Sequence, residues 1–278
     1  MQYIALNLKR FDIPKSMGGV NSLADIRLWA NTIITQTKAE LKNYADKAKF
    51  LVYLPEAHLL PALEALKGYE DIIEIGAQGV HFEDVEQGSN FGAFTSVRPA
   101  ASLLALGVKS VLIGHCEERR LLANILKQAG VTSPTAVNQL LNRSIKCAQA
   151  RGLSVTYCIG EALEDRPIYE SVLGEQLDVG LQGVRKENVI IAYEPIWAIG
   201  PGKTPPGKEA IQTTASFIQE KSDQMPIIYG GGLSEKNAAM LASIDEISGG
   251  LIALTRFQGE IGFYPEEYLE IIRIYLGK

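Results

Sequence analysis

The sequence predicts an α/β fold of the (β/α)8 barrel class, and three observations support that prediction. Eight short apolar runs rich in β-branched residues recur along the 278-residue chain. Longer segments with helical spacing lie between them, which indicates repeated strand–helix–strand units. No Pro-, Gly- or Ser-rich linker and no low-complexity tract interrupts the alternation. We therefore expect a single domain over residues 1–278.

The eight apolar runs are the predicted strands. Each is about four or five residues long and mostly apolar on both faces, which is typical of strands buried on both sides in a parallel sheet. Eight strands favour a closed barrel over a doubly wound sheet, which usually has fewer. The predicted strands are residues 3–6, 51–54, 72–76, 111–114, 154–158, 189–193, 226–229 and 250–254.

Helical spacing predicts the segments that connect these strands. In a (β/α)8 barrel the chemistry lies at the carboxyl ends of the strands, so the residues that follow each run are the candidates for a site. The predicted helices are residues 23–41, 59–66, 136–150, 208–221, 234–242 and 265–276, with one more that begins near Cys116.

Composition narrows the class of protein. A formal net charge of −5 disfavours a nucleic-acid surface, although it leaves room for a local phosphate site. Three cysteines do not form a disulfide framework, so we expect a reduced, cytoplasmic setting. The sequence shows no signal peptide, no apolar run long enough to span a membrane and no metal-spaced His/Cys cluster.

Two basic side chains follow predicted strands. Lys9 comes just after the first strand, where the alternative to a site residue is a lysine that extends to solvent at the rim. His115 follows the fourth strand at the start of a helix, whose dipole disfavours the imidazolium. A neutral imidazole there can donate a hydrogen bond to a substrate carbonyl; a capping or core histidine is the alternative. Cys116 is interpreted as a packing residue rather than a reactive thiol.

Glu194 directly follows the all-apolar sixth strand, and burial there suits a carboxylate that acts as a base. The segment after it begins with proline and tryptophan, contains glycines and ends with further prolines, which is typical of a lid with two hinges. A Pro/Gly-rich surface connection is the alternative. Gly230–Gly232 follow the seventh strand, where exposed amides can bind phosphate, although a plain turn has the same pattern.

Together these segments closely resemble the triosephosphate isomerase family, whose fold is the TIM barrel, over nearly the whole chain. Each match falls in the family's order and near a predicted strand end. The matching stretches are Asn7 with Lys9, residues 76–78, 92–95, 113–120, 158–161, 192–200, 202–204 and 229–231.

The resemblance implies a catalytic role for several residues. Glu194 would be the base that moves a proton between two carbons through an enediol, and His115 would polarise the carbonyl. Lys9 would supply positive charge to the enediolate. Asn7 would support that electrostatic site. No metal or organic cofactor is implied.

The resemblance also implies how substrate and partner bind. Backbone amides near Gly200, Gly231 and Gly232 would bind the phosphate of a small phosphorylated sugar, and a lid over residues 195–206 would exclude water. Thr95 matches the loop residue that reaches the partner's active site, so a homodimer is implied. The family's reaction belongs to glycolysis and gluconeogenesis.

The sequence departs from the family pattern at four places. The histidine segment carries one extra residue, with Cys116 in place of serine, so that Glu117 or Glu118 would contact Lys9; the spacing from His115 favours Glu117. The serine expected after Tyr-Gly-Gly is Gly232, which loses one hydroxyl, worth about 1 kcal/mol as a hydrogen bond.

The other two departures lie in the strand-eight loop and in the dimer loop. The glycine pair expected at the end of strand eight is replaced within Leu254-Thr255-Arg256. Thr255 and Arg256 become the phosphate-binding candidates there, because arginine suits phosphate. The glutamate expected after the Thr95 stretch is missing, with Ser96-Val97 in its place.

We therefore expect an aldose–ketose isomerase that interconverts glyceraldehyde 3-phosphate and dihydroxyacetone phosphate. Two alternatives stay open. One is an isomerase of another short-chain sugar phosphate such as a tetrulose phosphate, which the altered strand-eight loop favours. The other is a barrel that binds a phosphate ligand without catalysis, which the retention of Glu194, His115 and Lys9 disfavours.

Overall fold

The computed structural model describes residues 1–200 and 203–277. Its eight strands run parallel in chain order and the sheet closes into a barrel, which confirms the predicted fold class. Every predicted strand is present, with bounds that shift by at most three residues. The strands are β1 Gln2–Asn7, β2 Ala48–Leu54, β3 Ile73–Ala77, β4 Ser110–Ile113, β5 Ser154–Ile159, β6 Val189–Tyr193, β7 Ile227–Tyr229 and β8 Gly249–Ile252.

Helices alternate with these strands over the described part of the chain. Short 3-10 turns also occur, among them Glu56–His58 after β2 and Ile196–Ala198 after β6. The helices are α1 Trp29–Leu41, α2 Leu59–Leu66, α3 Ala100–Leu106, α4 Cys116–Gln128, α5 Pro134–Ala150, α6 Tyr169–Gly180, α7 Lys208–Lys221, α8 Ala238–Leu241 and α9 Pro265–Tyr275.

One compact unit comprises Met1–Gln78 and Ile228–Lys278. Within it β1 pairs with β2 from Gln2 opposite Ala48 onward, and with β8 from Tyr3 opposite Gly249 onward. Helix α1 packs against both α2 and α9, and Trp29 of α1 and Tyr268 of α9 are buried.

The second compact unit comprises Gly79–Ile227. Within it β5 pairs with β4 and with β6, and α5 packs against both α4 and α6. Tyr157, Leu141 and Leu173 are fully buried here. The expectation of one domain stays a prediction.

Two helices are shorter than their periodicity indicated, in each case because an asparagine side chain organises a turn. The first helix begins at Trp29 instead of residue 23, since Asn21 accepts from Leu23 N–H and donates to the Ala24 carbonyl. The helix expected over 234–242 covers only α8, because Asn237 accepts from Ser234 N–H at 2.8 Å. Asn21 forms an Asx turn, and both asparagines satisfy backbone groups that a helix would otherwise need.

Helices α3 and α6 were not predicted from the sequence. α3 has seven residues and ends at Gly107, whose φ of +94° stops the helix. α6 carries glycines at 174 and 180, which weaken its apolar pattern. Gly180 is required by packing, since a β-carbon there would lie 2.0 Å from the Tyr157 hydroxyl.

Candidate active site

Glu194 is placed by the carboxyl end of β6. Its backbone N–H donates to the Ile159 carbonyl at 2.8 Å, which extends the pairing of β5 with β6 by one residue. The residue is only 1% exposed, although its side chain is a carboxylate. A buried carboxylate needs hydrogen-bond donors, and two groups at the end of β4 supply them.

The first of these groups is the imidazole of His115, the N-terminal cap of α4. Its Nδ1 accepts a hydrogen bond from Glu117 N–H at 3.2 Å. A nitrogen that accepts from an amide carries no proton, so the ring is neutral and its proton lies on Nε2. Nε2 lies 3.3 Å from Oε1 of Glu194 and is positioned to donate to it.

The second group is the backbone N–H of Cys116, the first residue of α4. It donates to Oε2 of Glu194 at 2.8 Å. The free amides and the dipole at a helix N-terminus stabilise a carboxylate. One helix start therefore supplies both the imidazole cap and the amide that bind Glu194.

Two glycines let the strand ends come this close. A β-carbon on Gly160 would lie 1.9 Å from the carbonyl oxygen of Glu194. Gly114 has a φ of +80°, and a β-carbon there would lie 2.8 Å from the Cys158 carbonyl oxygen. The residues before His115 and opposite Glu194 must both be glycine, because any side chain would displace the backbone of the site.

Arg119 connects the ends of β4 and β5 beneath His115. Its guanidinium donates to the carbonyls of Gly114 and Cys158 and to the Tyr157 hydroxyl, all at 2.9 Å. Arg119 lies in the 113–120 stretch that resembles the family, but the sequence alone indicates no role for it. Its contacts show that it holds the backbone from which His115 extends.

Glu161 is a further residue whose role the sequence analysis missed. It follows β5, is fully buried, and its Oε1 accepts from Tyr193 at 3.0 Å, Trp197 at 2.9 Å and Arg166 at 3.1 Å. Trp197 belongs to the predicted lid, so Glu161 fixes the start of that segment. A weaker form of the signal that distinguished Glu194 was available, because Glu161 follows the end of β5 after one intervening glycine.

The predicted lid continues from the turn Ile196–Ala198 to Gly200. Gly200 has a φ of +114°, a conformation that favours glycine, and its carbonyl accepts from Lys203 N–H at 3.3 Å. Pro201 and Gly202, which the sequence analysis placed in the lid, lie outside the described residues.

The two glutamates of the histidine segment differ in environment. The Glu117 side chain is 53% exposed, and its Oε2 lies 4.0 Å from Nδ1 of His115. Glu118 turns inward and accepts from Gly114 N–H at 2.6 Å. Burial raises the pKa of Glu118, although the Gly114 amide, Arg119 and Arg98 partly offset the rise. The pairing of Glu117 with Lys9 stays a prediction.

Asn7 and Lys9 lie in the unit that contains β1. Asn7 ends β1, is 3% exposed, and its Oδ1 accepts from Lys9 N–H at 3.1 Å and from the Gln78 amide at 3.2 Å. The Gln78 amide also donates to the Lys9 carbonyl at 3.1 Å. Lys9 has a φ of +42°, which is unusual for a residue with a side chain.

The glycines after β7 lie in the same unit. Gly232 has a φ of +94° and its carbonyl accepts from the Asn237 amide at 2.9 Å. Open space surrounds the position of a β-carbon there, so the backbone conformation, not crowding, favours glycine over the serine of the family. The roles of Gly231 and Gly232 in phosphate binding stay predictions.

Thr255 and Arg256 follow β8 in a loop that folds back on itself. The N–H groups of both residues donate to the Gly262 carbonyl, and the Thr255 hydroxyl accepts from Tyr264 N–H at 2.9 Å. The Arg256 guanidinium pairs with Glu267 and lies 3.9 Å from the Tyr264 ring centroid. Their contact with phosphate stays a prediction, and Arg256 would have to leave Glu267 to make it.

Thr95, the predicted dimer-loop residue, is exposed in the long connection between β3 and α3. Phe91 in the same connection is 82% exposed. An exposed aromatic side chain is a common feature of protein interfaces. The dimer itself stays a prediction.

His115, Cys116 and Glu194 also offer metal-ligand atoms within 4.8 Å of one another. The hydrogen bonds described above already engage the Glu194 carboxylate. The expectation that the protein needs no metal stays a prediction. Within residues 1–200 and 203–277, no helix has the length and apolarity that a membrane span requires.

These features define a class of protein: a (β/α)8 barrel that holds a neutral imidazole beside a buried carboxylate, as enzymes that transfer protons do. The family model described as triosephosphate isomerase matches residues 26–273. The chain belongs to the triosephosphate isomerase family and is therefore an isomerase of the intramolecular oxidoreductase type.

Individual relatives agree with this assignment. A triosephosphate isomerase of Synechococcus sp. (strain JA-2-3B'a(2-13)) is 34% identical over 231 residues, which cover 82% of each chain. One from Carboxydothermus hydrogenoformans is 36% identical over 212 residues, 71% of this chain and 76% of the relative. The crystal structure of triosephosphate isomerase from Bartonella henselae matches with a TM-score of 0.71 and 25% identity, and covers 99% of this chain and 98% of that one.

Proposed function

We propose that this enzyme interconverts glyceraldehyde 3-phosphate and dihydroxyacetone phosphate. The observation that supports the proposal most directly is the pairing of Glu194 with His115 at 3.3 Å in a chain of this family. A base that removes a carbon-bound proton and a neutral donor that stabilises the resulting oxyanion are the two groups that an enediolate mechanism requires.

Glu194 is the proposed base. It removes a proton from the carbon next to the substrate carbonyl and returns it to the neighbouring carbon. To reach substrate it leaves the Cys116 amide, which binds its Oε2 in this structure. That amide therefore holds the carboxylate in a resting position. Burial at 1% exposure keeps bulk water from competing for the carboxylate.

His115 is the proposed electrophile. Its Nε2–H donates to the substrate carbonyl oxygen, and the Glu117 amide on Nδ1 keeps the ring in the required tautomer. Lys9 supplies positive charge to the enediolate and Asn7 supports it. Glu117 is the proposed partner of Lys9. These roles come from the family resemblance together with the positions of the residues at strand ends.

The phosphate and lid roles complete the proposal. Amides of Gly200, Gly231 and Gly232 bind the phosphate, with Thr255 and Arg256 as further candidates. The 195–206 lid closes over the substrate, so that the enediolate does not lose its phosphate to solvent. No metal or organic cofactor takes part. The setting is a cytoplasmic homodimer in glycolysis and gluconeogenesis, with Thr95 at the interface, and without nucleic-acid or membrane partners.

A second substrate has one observation in its favour. Thr255 and Arg256 donate their amides to Gly262, so the loop after β8 is not the open glycine pair that the family pattern predicts. A changed phosphate wall would suit a related sugar phosphate such as a tetrulose phosphate. Turnover of both substrates by the purified protein separates the two. Values of kcat/KM orders of magnitude higher for the tetrulose phosphate would overturn the triose assignment.

Replacement of Glu194 by aspartate tests the base. Glu194→Asp withdraws the carboxylate by one methylene, and we expect kcat to fall by about 100-fold or more while KM changes little. Steady-state kinetics in both directions and exchange of the substrate's carbon-bound hydrogen with solvent measure the loss. Glu209 is an exposed glutamate at the start of α7, and Glu209→Asp is the matched control. Turnover near the wild-type value in Glu194→Asp would show that Glu194 is not the base.

A further inference from the structure

Asp12 is a buried carboxylate three residues after Lys9. It is 1% exposed and its two oxygens accept from the Arg10 guanidinium at 2.9 and 2.8 Å. His58, in the turn after β2, lies 3.1 Å from Oδ2 of Asp12 through its Nε2 and is 3% exposed. We call Arg10, Asp12 and His58 the Asp12 cluster.

The Asp12 carboxylate is ionised at neutral pH. Burial acts to raise the pKa of Asp12, but the hydrogen bonds from Arg10 and His58 outweigh it and hold that pKa below its ordinary value. Since a carboxylate only accepts hydrogen bonds, His58 donates from Nε2. The Trp29 ring packs against His58 with centroids 5.1 Å apart, which fixes the donor.

The Asp12 cluster holds the C-terminal end of the turn that carries Lys9. At the N-terminal end of that turn, Leu8 N–H donates to the Tyr53 carbonyl of β2 at 3.1 Å. Between these two attachments Phe11 N–H donates back to the Leu8 carbonyl at 3.0 Å, so residues 8–12 form a tight turn. The Asn21 amide donates to the Asp12 carbonyl at 3.1 Å and restrains the same end.

Lys9 occupies a conformation that would relax without such restraints. A left-handed backbone at a residue with a β-carbon is strained, and it persists only where the surroundings enforce it. Asn7 and Gln78 hold the backbone groups of Lys9 itself. Arg10 and Asp12, at the far end of the turn, are held through the Asp12 carboxylate.

We propose that Asp12 is a positioning residue for Lys9: held by Arg10 and His58, its carboxylate fixes the 8–12 turn and thereby the direction in which Lys9 extends. The inference rests on the proposed function, in which the Lys9 ammonium acts on the bound substrate. It adds a residue that the family resemblance did not assign, and it links the loop after β1 to the turn after β2.

Asp12→Asn tests the inference, because it keeps the shape of the side chain and removes its charge. We expect kcat/KM to fall by about 10- to 100-fold, as for a catalytic group displaced by about 1 Å. Asp25→Asn is the matched control. Asp25 also binds an arginine two residues away, at 3.1 Å, but it is an exposed pair in the same unit, and its loss should leave kcat/KM unchanged.

A double-mutant cycle separates positioning from general damage. If Asp12 acts through Lys9, the effect of Asp12→Asn on kcat/KM should shrink to about twofold or less in a Lys9→Ala background. The full loss in that background would overturn the inference. Wild-type kcat/KM in Asp12→Asn would overturn it as well.

Amide hydrogen exchange over residues 8–13 tests the same inference without substrate. We expect exchange at least ten times faster in Asp12→Asn and wild-type rates in Asp25→Asn. Unchanged exchange in Asp12→Asn would count against the inference. Should Asp12→Asn fail to fold, Arg10→Met is the second variant. The Arg10 side chain is 63% exposed, and its replacement removes one partner of the Asp12 carboxylate. We expect smaller changes of the same sign. If the wild-type protein turned over no triose phosphate, the proposed function would fail, while the exchange result would still decide whether Asp12 fixes the turn.

Discussion

At the scale of single residues, the structure shows how one backbone segment defines the chemistry of two side chains. The first turn of α4 presents Glu117 N–H to the imidazole of His115 and Cys116 N–H to the carboxylate of Glu194. The amide on Nδ1 leaves the His115 proton on Nε2, the nitrogen nearer to Glu194. The helix start thus selects a tautomer for His115 and a resting position for the proposed base.

Gly160→Ala tests how closely the backbone positions Glu194. The added β-carbon would lie 1.9 Å from the Glu194 carbonyl oxygen, so the strand ends must separate. We expect kcat to fall by about 100-fold, because displacement of a catalytic group by about 1 Å has that effect. Steady-state kinetics measure kcat, and thermal denaturation measures the accompanying loss of stability.

Gly174→Ala is the matched control for this change. Its β-carbon would meet nothing closer than 3.9 Å, and alanine in a helix gains about 1 kcal/mol over glycine. We expect wild-type kinetics and a somewhat higher Tm. Wild-type kcat in Gly160→Ala would show that this close approach does not position Glu194.

At the scale of elements, α4 carries a half-buried carboxyl in its first turn, that of Glu118. Glu118 accepts from Gly114 N–H beneath His115, and burial raises its pKa. A carboxyl whose pKa is higher in the folded state binds its proton more tightly there than in the unfolded chain. Its effect on folding therefore becomes unfavourable as pH rises from about 4.5, its ordinary pKa, through the raised value.

Glu118→Gln should reveal that pH dependence. Glutamine still offers an oxygen to Gly114 N–H but has no charge to bury. We expect the variant to have a higher Tm than wild type at pH 8, and the difference to shrink at pH 4. Glu117→Gln should behave in the opposite way, because an exposed acid in the first turn of a helix stabilises it by about 0.3 to 1 kcal/mol when ionised. A Tm difference for Glu118→Gln that does not change with pH would contradict the interpretation.

The predicted lid begins at an element-scale contact, in which Trp197 of the turn after β6 donates to Glu161 after β5. Trp197→Phe removes a hydrogen bond worth about 1 kcal/mol and keeps most of the ring. We expect faster amide exchange over residues 196–200 and a kcat reduced by several-fold. Tyr193→Phe removes a donor to the same oxygen from β6 and should leave lid exchange less affected. Equal effects of both variants would show that the hydrogen bond from Trp197 to Glu161 does not restrain the predicted lid.

At the scale of the whole molecule, the closed sheet depends on a glycine as well as on apolar strands. Gly249 opens β8 opposite Tyr3 of β1, and a β-carbon there would lie 1.8 Å from the Tyr3 carbonyl oxygen. Its φ of +146° also favours glycine. Strand pairing at this seam therefore requires the absence of a side chain, which an apolar pattern does not predict.

The proposed homodimer gives a test at this scale. Thr95→Arg places a long charged side chain in the predicted interface loop, and we expect the dissociation constant of the dimer to rise at least tenfold, about 1.4 kcal/mol. Analytical ultracentrifugation across a concentration series measures it. Thr132→Arg, at an exposed threonine outside that loop, is the control. A wild-type protein that sediments as a monomer would contradict the dimer, and an unchanged constant in Thr95→Arg would remove Thr95 from the interface.

The eight strands and the residues that follow them could be predicted from local sequence patterns. Continuous apolar runs such as β6 are local patterns, and Glu194 directly after β6 needs no knowledge of distant residues. Helix limits were less predictable where side chains compete for backbone groups, as Asn21 does before α1. The catalytic candidates could be predicted for the same reason as the strands, because both predictions use residues that are adjacent in the sequence.

Local patterns do not predict which of these groups meet, because that depends on how distant segments fold together. Glu194 lies 78 residues from the Cys116 amide that binds it, and His58 lies 46 residues from Asp12. Such pairs depend on strand register and on glycines that allow close approach, as at Gly160. Both pairs join atoms about 3 Å apart that chain order does not bring together. The hydrogen bond at Nδ1 of His115 and the inward turn of Glu118 are local contacts, since their partners lie two and four residues away.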